Sequence, residues 1–104
     1  MIVEMRTYTV QNGSTEECLR IYETAGLAIQ QEVLGNLIAY FYSEIGPLNQ
    51  IIHLWGFSDL NDRQQRRARL EKTPGWHEYR MMIHPYIVSQ ETQIVNCAPF
   101  SPIR

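Results

Sequence analysis

The chain has 104 residues, nine of them basic and eleven acidic, which gives a formal net charge of −2. The length fits a single domain, 1–104, with one core. The near-neutral charge excludes a general attraction to nucleic acid or to anionic membranes, and no apolar run approaches the roughly 20 residues of a membrane-spanning helix. Cys18 and Cys97 lie far apart without metal-ligand spacing, so we expect reduced thiols. With no leader before Ile2, we expect a cytoplasmic location.

The chain opens with a segment that alternates as a β-strand does. Between Ile2 and Val10, neighbouring side chains point to opposite faces, so Glu4, Arg6 and Tyr8 share one face. The segment is therefore predicted to be a strand with polar side chains on one side.

A helix is predicted next, after a turn at Asn12-Gly13. Ser14 with Glu17 three residues later forms a capping-box pattern at its start. An inward stripe follows at helical spacing: Leu19, Tyr22, Ala25 or Gly26, and Ile29. Gly26 weakens the middle by about 1 kcal/mol relative to alanine, so we expect a bend or break there. Gly35-Asn36 ends the helix.

Two strands follow that are predicted to form an antiparallel hairpin. Leu37 to Glu44 is rich in aromatic residues, and a short turn around Gly46-Pro47 leads to a strand from Asn49 to Phe57. Both faces of this third strand are apolar: Asn49, Ile51, His53, Trp55 and Phe57 against Gln50, Ile52, Leu54 and Gly56. An antiparallel sheet on a monomer normally keeps one polar face. We therefore expect helices on one side and a second copy of the chain on the other.

The remaining segments complete a recognisable order. They are a helix capped by Ser58 or Asp59 and running to about Lys72, a break at Thr73-Pro74-Gly75, a short helix from Trp76 to Ile83 ending at His84-Pro85, a strand from Ile87 to Cys97, and an extended tail, 98–104. The order strand, helix, strand, strand, helix, strand predicts an α+β, ferredoxin-like (βαββαβ) fold with a four-stranded antiparallel sheet.

Several of these segments resemble NIPSNAP domains across nearly the whole chain. They are Met5-Arg6-Thr7-Tyr8-Thr9, Leu34-Gly35-Asn36-Leu37, Tyr40 through Gln50, His53-Leu54-Trp55, and Ala98-Pro99-Phe100-Ser101-Pro102. The resemblance implies a dimeric α+β barrel, in which two four-stranded sheets pack face to face with the helices outside. Eukaryotic members are associated with mitochondria, whereas this chain resembles a bare bacterial member. The family has no settled reaction, so the resemblance implies none.

The two central strands offer a candidate ligand site. In a ferredoxin-like sheet the first and third strands are neighbours, so Arg6 and Tyr8 can meet His53 and Trp55 on one face. Arg6 would bind an anion, Tyr8 and His53 would donate or relay a proton, and Trp55 or Tyr40 would stack on a flat ligand. The alternative is structural: a satisfied ion pair between Glu4 and Arg6, or with a partner chain, and a hydrogen-bonded core histidine.

Other polar clusters are weaker candidates. The predicted helix after Asp59 carries five basic residues, Arg63, Arg66, Arg67, Arg69 and Lys72, which we interpret as a solvated face with Arg63 closer to the inward stripe. His77 and His84 flank the short helix without a third ligand, so we predict no metal site. Barrels of this type sometimes hold haem, but a helix-end role for His84 is the simpler interpretation. We expect no cofactor, and no Ser/His/Asp set, phosphate loop or paired-carboxylate motif is present.

Two functions remain open from the sequence. The first is a homodimer that binds a small, partly apolar molecule or serves as an interaction module. The second is a cofactor-free monooxygenase or isomerase acting on a small aromatic or hydrophobic substrate, an idea that rests on fold analogy. An enzyme requires a cavity that touches His53 or Tyr8, whereas a pure interaction protein would seal these side chains in the dimer interface.

Overall fold

A computed structural model describes residues 1–104 and confirms the ferredoxin-like order. The strands are β1 (Ile2–Val10), β2 (Asn36–Tyr42), β3 (Gln50–Phe57) and β4 (Ile87–Asn96). The helices are α1 (Thr15–Ala25), α2 (Leu27–Leu34), α3 (Leu60–Glu71) and α4 (Trp76–Ile83), with one 3₁₀ turn (His84–Tyr86) before β4. None of the helices has the length and apolar character needed to cross a bilayer.

The sheet is antiparallel throughout, with the order β2-β3-β1-β4, so β1 and β3 are central as predicted. Their register sets Glu4 opposite Trp55 and Arg6 opposite His53. A bulge in β2 between Leu37 and Ala39 shifts its pairing with β3. The register confirms that the polar residues of β1 share a face with the aromatic residues of β3.

The predicted strand ends need small corrections. β2 stops at Tyr42 rather than Glu44, and β4 stops at Asn96 rather than Cys97. β3 begins at Gln50 because Asn49 has a left-handed backbone, with φ 60°. In that conformation the Asn49 Oδ1 accepts a hydrogen bond of 3.0 Å from the Gly13 amide, which links the hairpin turn to the turn after β1. Asparagine tolerates this conformation better than most residues.

The helical segments follow the sequence with one exception. The predicted break occurs at Gly26, where a Cβ atom would come within 3.0 Å of the Tyr22 and Tyr79 rings. Asp59 caps α3 by accepting a 2.7 Å bond from the Asp62 amide. The capping box at Ser14 is wrong, because the Ser14 hydroxyl donates back to the Gln11 carbonyl at 2.6 Å instead.

The two faces of the sheet differ in what covers them. The inner face packs against the helices and holds the main core: Ile21, Tyr22, Leu34, Trp55, Phe57, Leu70, Trp76 and Tyr79. On the outer face Ile52 and Leu54 stay half-buried, and the C-terminal tail lies nearby. A wide groove there, of about 400 Å³, runs between Val3, Leu54 and Val95 and the tail residues Phe100 and Ile103.

Candidate functional site

A cavity of about 250 Å³ lies between the inner face of the sheet and the helices. Four of the five predicted ligand residues line it: Arg6, Tyr8, Tyr40 and His53. Helix residues complete the wall, notably Tyr22 and Gln30, Arg67 of α3, and Trp76 and Tyr79 of α4. The predicted clustering on neighbouring strands is therefore what the structure has.

Trp55 does not line this cavity, so the expectation that it would stack on a ligand is wrong. Its side chain is 0% exposed and packs within the core between sheet and helices. Its indole Nε1 donates a 2.7 Å hydrogen bond to Nδ1 of His53. Two positions along one strand face bring the side chains together, and the larger one fills the core. Trp55 thus acts on the site only through His53.

His53 is held as a neutral imidazole with a fixed tautomer. Because Nδ1 accepts from Trp55, the single ring proton sits on Nε2. No group of the chain accepts from Nε2, although His53 is only 4% exposed and lines the cavity. Burial first, and then the positive charges of Arg6 and Arg67, lower the pKa of His53 to about 3. The ring is a hydrogen-bond donor, and a poor base, toward the cavity.

Glu4 forms the centre of a charged cluster beside the cavity. Its carboxylate is fully buried and accepts hydrogen bonds from Arg63 Nε at 2.8 Å and from Arg67 Nη2 at 2.9 Å. Arg6 Nη1 adds a longer contact of 3.3 Å. Burial alone would raise the pKa of Glu4, but the hydrogen bond from Arg63 and the charges of Arg67 and Arg6 hold it below its usual value. One carboxylate therefore faces three guanidinium groups, an excess of two positive charges.

The predicted solvated face of α3 is wrong for two of its five basic residues, Arg66 and Arg67, whereas Arg63 lies inward as expected. Arg63 and Arg67, one turn apart, both point at the sheet and bond to Glu4. Arg66 bonds to Asp62 at 2.9 Å and to the Val33 carbonyl at 3.2 Å. Only the remaining two, Arg69 and Lys72, are exposed. A buried acid on a central strand requires basic partners, and that requirement was the signal in the sequence, although it did not identify this helix as their source.

The structural alternative, a satisfied ion pair and a hydrogen-bonded histidine, is therefore present together with a cavity. Glu4 does contact Arg6, and His53 does bond to Trp55. These contacts do not withdraw the arginines from the cavity, because the side chains of Arg6 and Arg67 still line it.

Phenol groups form much of the remaining wall. Tyr40 is stacked between Tyr22 and His53, with ring centroids 4.6 and 4.7 Å apart respectively. Burial raises the pKa of Tyr22, Tyr40 and Tyr79 well above the usual value, so all three stay neutral. The Tyr8 hydroxyl accepts from Arg6 Nη2 at 2.7 Å, which orients the guanidinium. The sequence interpretation missed Tyr22, Tyr79 and Arg67, because helical periodicity does not say which strand residues an inward side chain meets.

The rim carries charged and polar side chains. Glu71 and Arg80 form a 2.7 Å ion pair there, and both are exposed. His84 also lies at the rim, while His77 is exposed on α4 and does not line the cavity. No three histidine, cysteine or acidic side chains converge as metal ligands would. In the buried part of the cavity, positive donors and neutral rings suit the binding of an anion.

Comparison with known proteins agrees with the fold and identifies the family. The family model described as NIPSNAP matches residues 3–102, so the chain belongs to the NIPSNAP family. The chain is 37% identical to the NipSnap homolog of Dictyostelium discoideum over 75 residues, covering 72% of this chain and 33% of that protein. It spans about a third of the length of the curated relatives it matches.

Solved structures give the same answer. The Agrobacterium tumefaciens protein Atu4242 superposes with a TM-score of 0.98 at 44% identity, covering 100% of both chains. A second structure of Atu4242 is described as a NIPSNAP family protein of unknown function. An antibiotic biosynthesis monooxygenase superposes with a TM-score of 0.66 at 10% identity, covering 95% of this chain and 100% of the other. That likeness concerns the fold alone.

Proposed function

We propose that this protein binds a small organic anion with an apolar ring in the cavity between sheet and helices. The carboxylate of the ligand would lie against Arg6 and Arg67, and its ring against the tyrosines. The observation that carries the proposal is the surplus of charge, one buried carboxylate for three guanidinium groups.

The charge argument rests on what burial costs. The Arg6 and Arg67 side chains are only 14% and 22% exposed, so water solvates them poorly. A buried charge is stable only when it is paired. Glu4 already shares its two oxygens among three partners. An anion in the cavity would supply the missing negative charge. A carboxylate suits this role because guanidinium groups can bind it in bidentate geometry.

The size of the cavity limits the ligand. A cavity of about 150 Å³ is known to hold benzene, and the cavity here measures about 250 Å³. The additional volume fits a short acid group on one ring, rather than a fused ring system. The stacked Tyr22, Tyr40 and His53 rings offer an aromatic wall of matching character.

The enzyme alternative has less support from the site. Proton abstraction needs a base with a pKa near the working pH. Burial lowers the pKa of His53 to about 3, and the buried tyrosine hydroxyls are neutral. A cofactor-free monooxygenase or isomerase would therefore need a substrate that ionises readily, with Arg6, Arg67 and His53 stabilising its oxyanion. Turnover of such a substrate, followed by oxygen consumption or product formation, would separate this alternative from binding alone.

We also propose that two copies associate through the outer face of the sheet. Ile52 and Leu54 are half-buried there with no helix above them, Phe41 is exposed, and Phe100 of the tail is 88% exposed. The exposed apolar surface supports association, because monomers rarely expose large contiguous apolar patches. A pure interaction module is less well supported, because Tyr8 and His53 face the cavity and not the outer face.

A cytoplasmic location is proposed as well. Cys18 is buried and Cys97 half-buried, and both are free thiols. Free thiols are typical of reducing compartments.

Calorimetric titration with two matched compounds tests the binding proposal. Phenylacetate and phenylacetamide have the same shape, but only the first carries a charge. We expect phenylacetate to bind at least about tenfold more tightly to the wild-type protein. Arg67→Met should remove that preference, whereas Arg69→Met, which changes an exposed arginine of the same helix, should keep it. Equal binding of acid and amide, or equal effects of the two substitutions, would contradict the proposal.

A further inference from the structure

We infer that the cavity selects acids with an oxygen on the carbon next to the carboxylate, as in 2-oxo acids, and that His53 recognises this oxygen by donating a hydrogen bond to it. The inference rests on the proposed function, since it assigns the rest of the same ligand. Arg6 and Arg67 would take the carboxylate, and Nε2–H of His53 would donate to the neighbouring oxygen.

The first support is that Nε2 of His53 is a donor without a partner. The Trp55 indole occupies Nδ1 at 2.7 Å, which leaves the proton on Nε2. His53 is only 4% exposed, yet it lines the cavity. Buried N–H groups are nearly always hydrogen-bonded to protein or to ordered water. Because no fully buried side-chain N–H of the chain lacks a partner, the Nε2–H is open to the cavity, where water or a ligand oxygen would accept its hydrogen bond.

The second support is the distance between the two kinds of donor. Arg6 and His53 are directly opposite each other on neighbouring antiparallel strands. Side chains in such a pair have Cβ atoms roughly 5 Å apart. Both side chains point to the inner face and line the same cavity. A carboxylate at Arg6 thus leaves an oxygen on the adjacent carbon within reach of His53.

The third support is that this donor is fixed. The Trp55 bond fixes the tautomer, and Tyr40 stacks on the imidazole with centroids 4.7 Å apart. His53 therefore cannot turn to offer an acceptor instead. A ligand with a CH₂ group next to its carboxylate would displace water from this place and leave the Nε2–H of His53 unpaired. Sites built to hydrogen-bond a ligand reject analogues that lack the group for this reason.

Two acids that differ at one carbon test the inference. Phenylglyoxylate has a carbonyl next to its carboxylate, and phenylacetate has a methylene there. We expect the wild-type protein to bind phenylglyoxylate about tenfold more tightly, the effect of one buried hydrogen bond. In His53→Asn the side-chain oxygen can still accept from Trp55, but the Nε2 donor is lost. The ratio of the two dissociation constants should then fall to about one.

The control is His77→Asn, which changes an exposed histidine of α4 outside the cavity and should leave the ratio unchanged. Equal binding of the two acids by the wild-type protein would overturn the inference and leave the proposed function standing. Binding of neither acid would overturn both. A ratio that persists in His53→Asn would overturn the role of His53. The comparison of ligands needs only the wild-type protein, so it holds even if His53→Asn does not fold.

Discussion

Each face of the sheet carries some residues of the kind that an ordinary antiparallel sheet keeps on its opposite face. On the inner face, beneath the helices, Glu4 and His53 are buried and hydrogen-bonded. On the outer face, where no helix lies, Met5, Ile52 and Leu54 are only half-buried. In an ordinary antiparallel sheet the covered face is apolar and the open face polar. This difference is what we expect if the inner polarity serves the proposed ligand and the outer apolar surface serves the proposed second copy.

The largest expected effect comes from neutralising the centre of the inner face. In Glu4→Gln the arginines from β1 and α3 lose the carboxylate that pairs them. Removing one partner from a buried ionic cluster costs about 3 kcal/mol or more, because the remaining charges stay buried. Urea unfolding would measure the loss.

The matched control is Glu23→Gln on the exposed side of α1, which should change the free energy of unfolding by less than about 0.5 kcal/mol. A Glu4→Gln protein as stable as the control would mean that the three guanidinium groups are well solvated without Glu4.

The next effect concerns the outer face. Ile52→Glu places a charge on the half-buried surface that two copies would share. We expect wild-type protein to sediment as a dimer at about 10 µM, and Ile52→Glu to weaken dimerisation by about 100-fold or more, since each dimer would bury two unpaired charges. Circular dichroism should remain that of the folded chain. Ala28→Glu, on the exposed side of α2, should leave the dimer intact. A wild-type monomer in sedimentation would refute the assembly.

The third effect is a pH dependence that belongs to the inner face. Unfolded histidine has a pKa near 6.5, while the pKa of His53 in the folded chain is lowered to about 3. Between these values the unfolded state binds more protons, so stability falls as pH falls. From about pH 7 to about pH 5, this one group should cost about 2 kcal/mol. The charged and titratable groups around it are Arg6, Glu4 and Tyr8 of β1, Arg67 of α3 and Tyr40 of β2.

Unfolding curves at several pH values check this dependence. His53→Asn should lose most of it, because asparagine does not titrate. His77→Asn, which changes an exposed histidine, should retain it. A wild-type protein equally stable at both ends of this pH window would mean that His53 is protonated in the folded chain.

The smallest effect comes from the cap of the helix that delivers two of the arginines. Asp59 accepts from the Asp62 amide at 2.7 Å at the start of α3. Asp59→Ala should cost about 1 kcal/mol of unfolding free energy. Asn61→Ala, an exposed position in the first turn, should cost less. A loss no larger than in Asn61→Ala would show that contacts with Glu4, and not the cap, hold this helix.

The sequence predicted the strands and their order because alternation and turn residues are local signals. The break at Gly26 and the Asp59 cap were also readable, since each depends on a few neighbouring residues. Arg67 and Trp55 were misjudged for a common reason. Periodicity tells which face a side chain takes, but packing across elements decides whether it meets water, a cavity or a buried acid. A buried Glu4 implied basic partners, yet nothing local named α3 as their source.

The most direct test of the account is nitrogen NMR of the His53 imidazole, without and with phenylglyoxylate. We expect a neutral ring at about pH 7, protonated on Nε2 and not on Nδ1, with the Nε2 resonance shifting as the acid saturates the site. A doubly protonated ring at that pH, or an Nε2 signal that saturating acid leaves unchanged, would contradict the claim that neutral His53 donates a hydrogen bond from Nε2 to an oxygen of the bound anion.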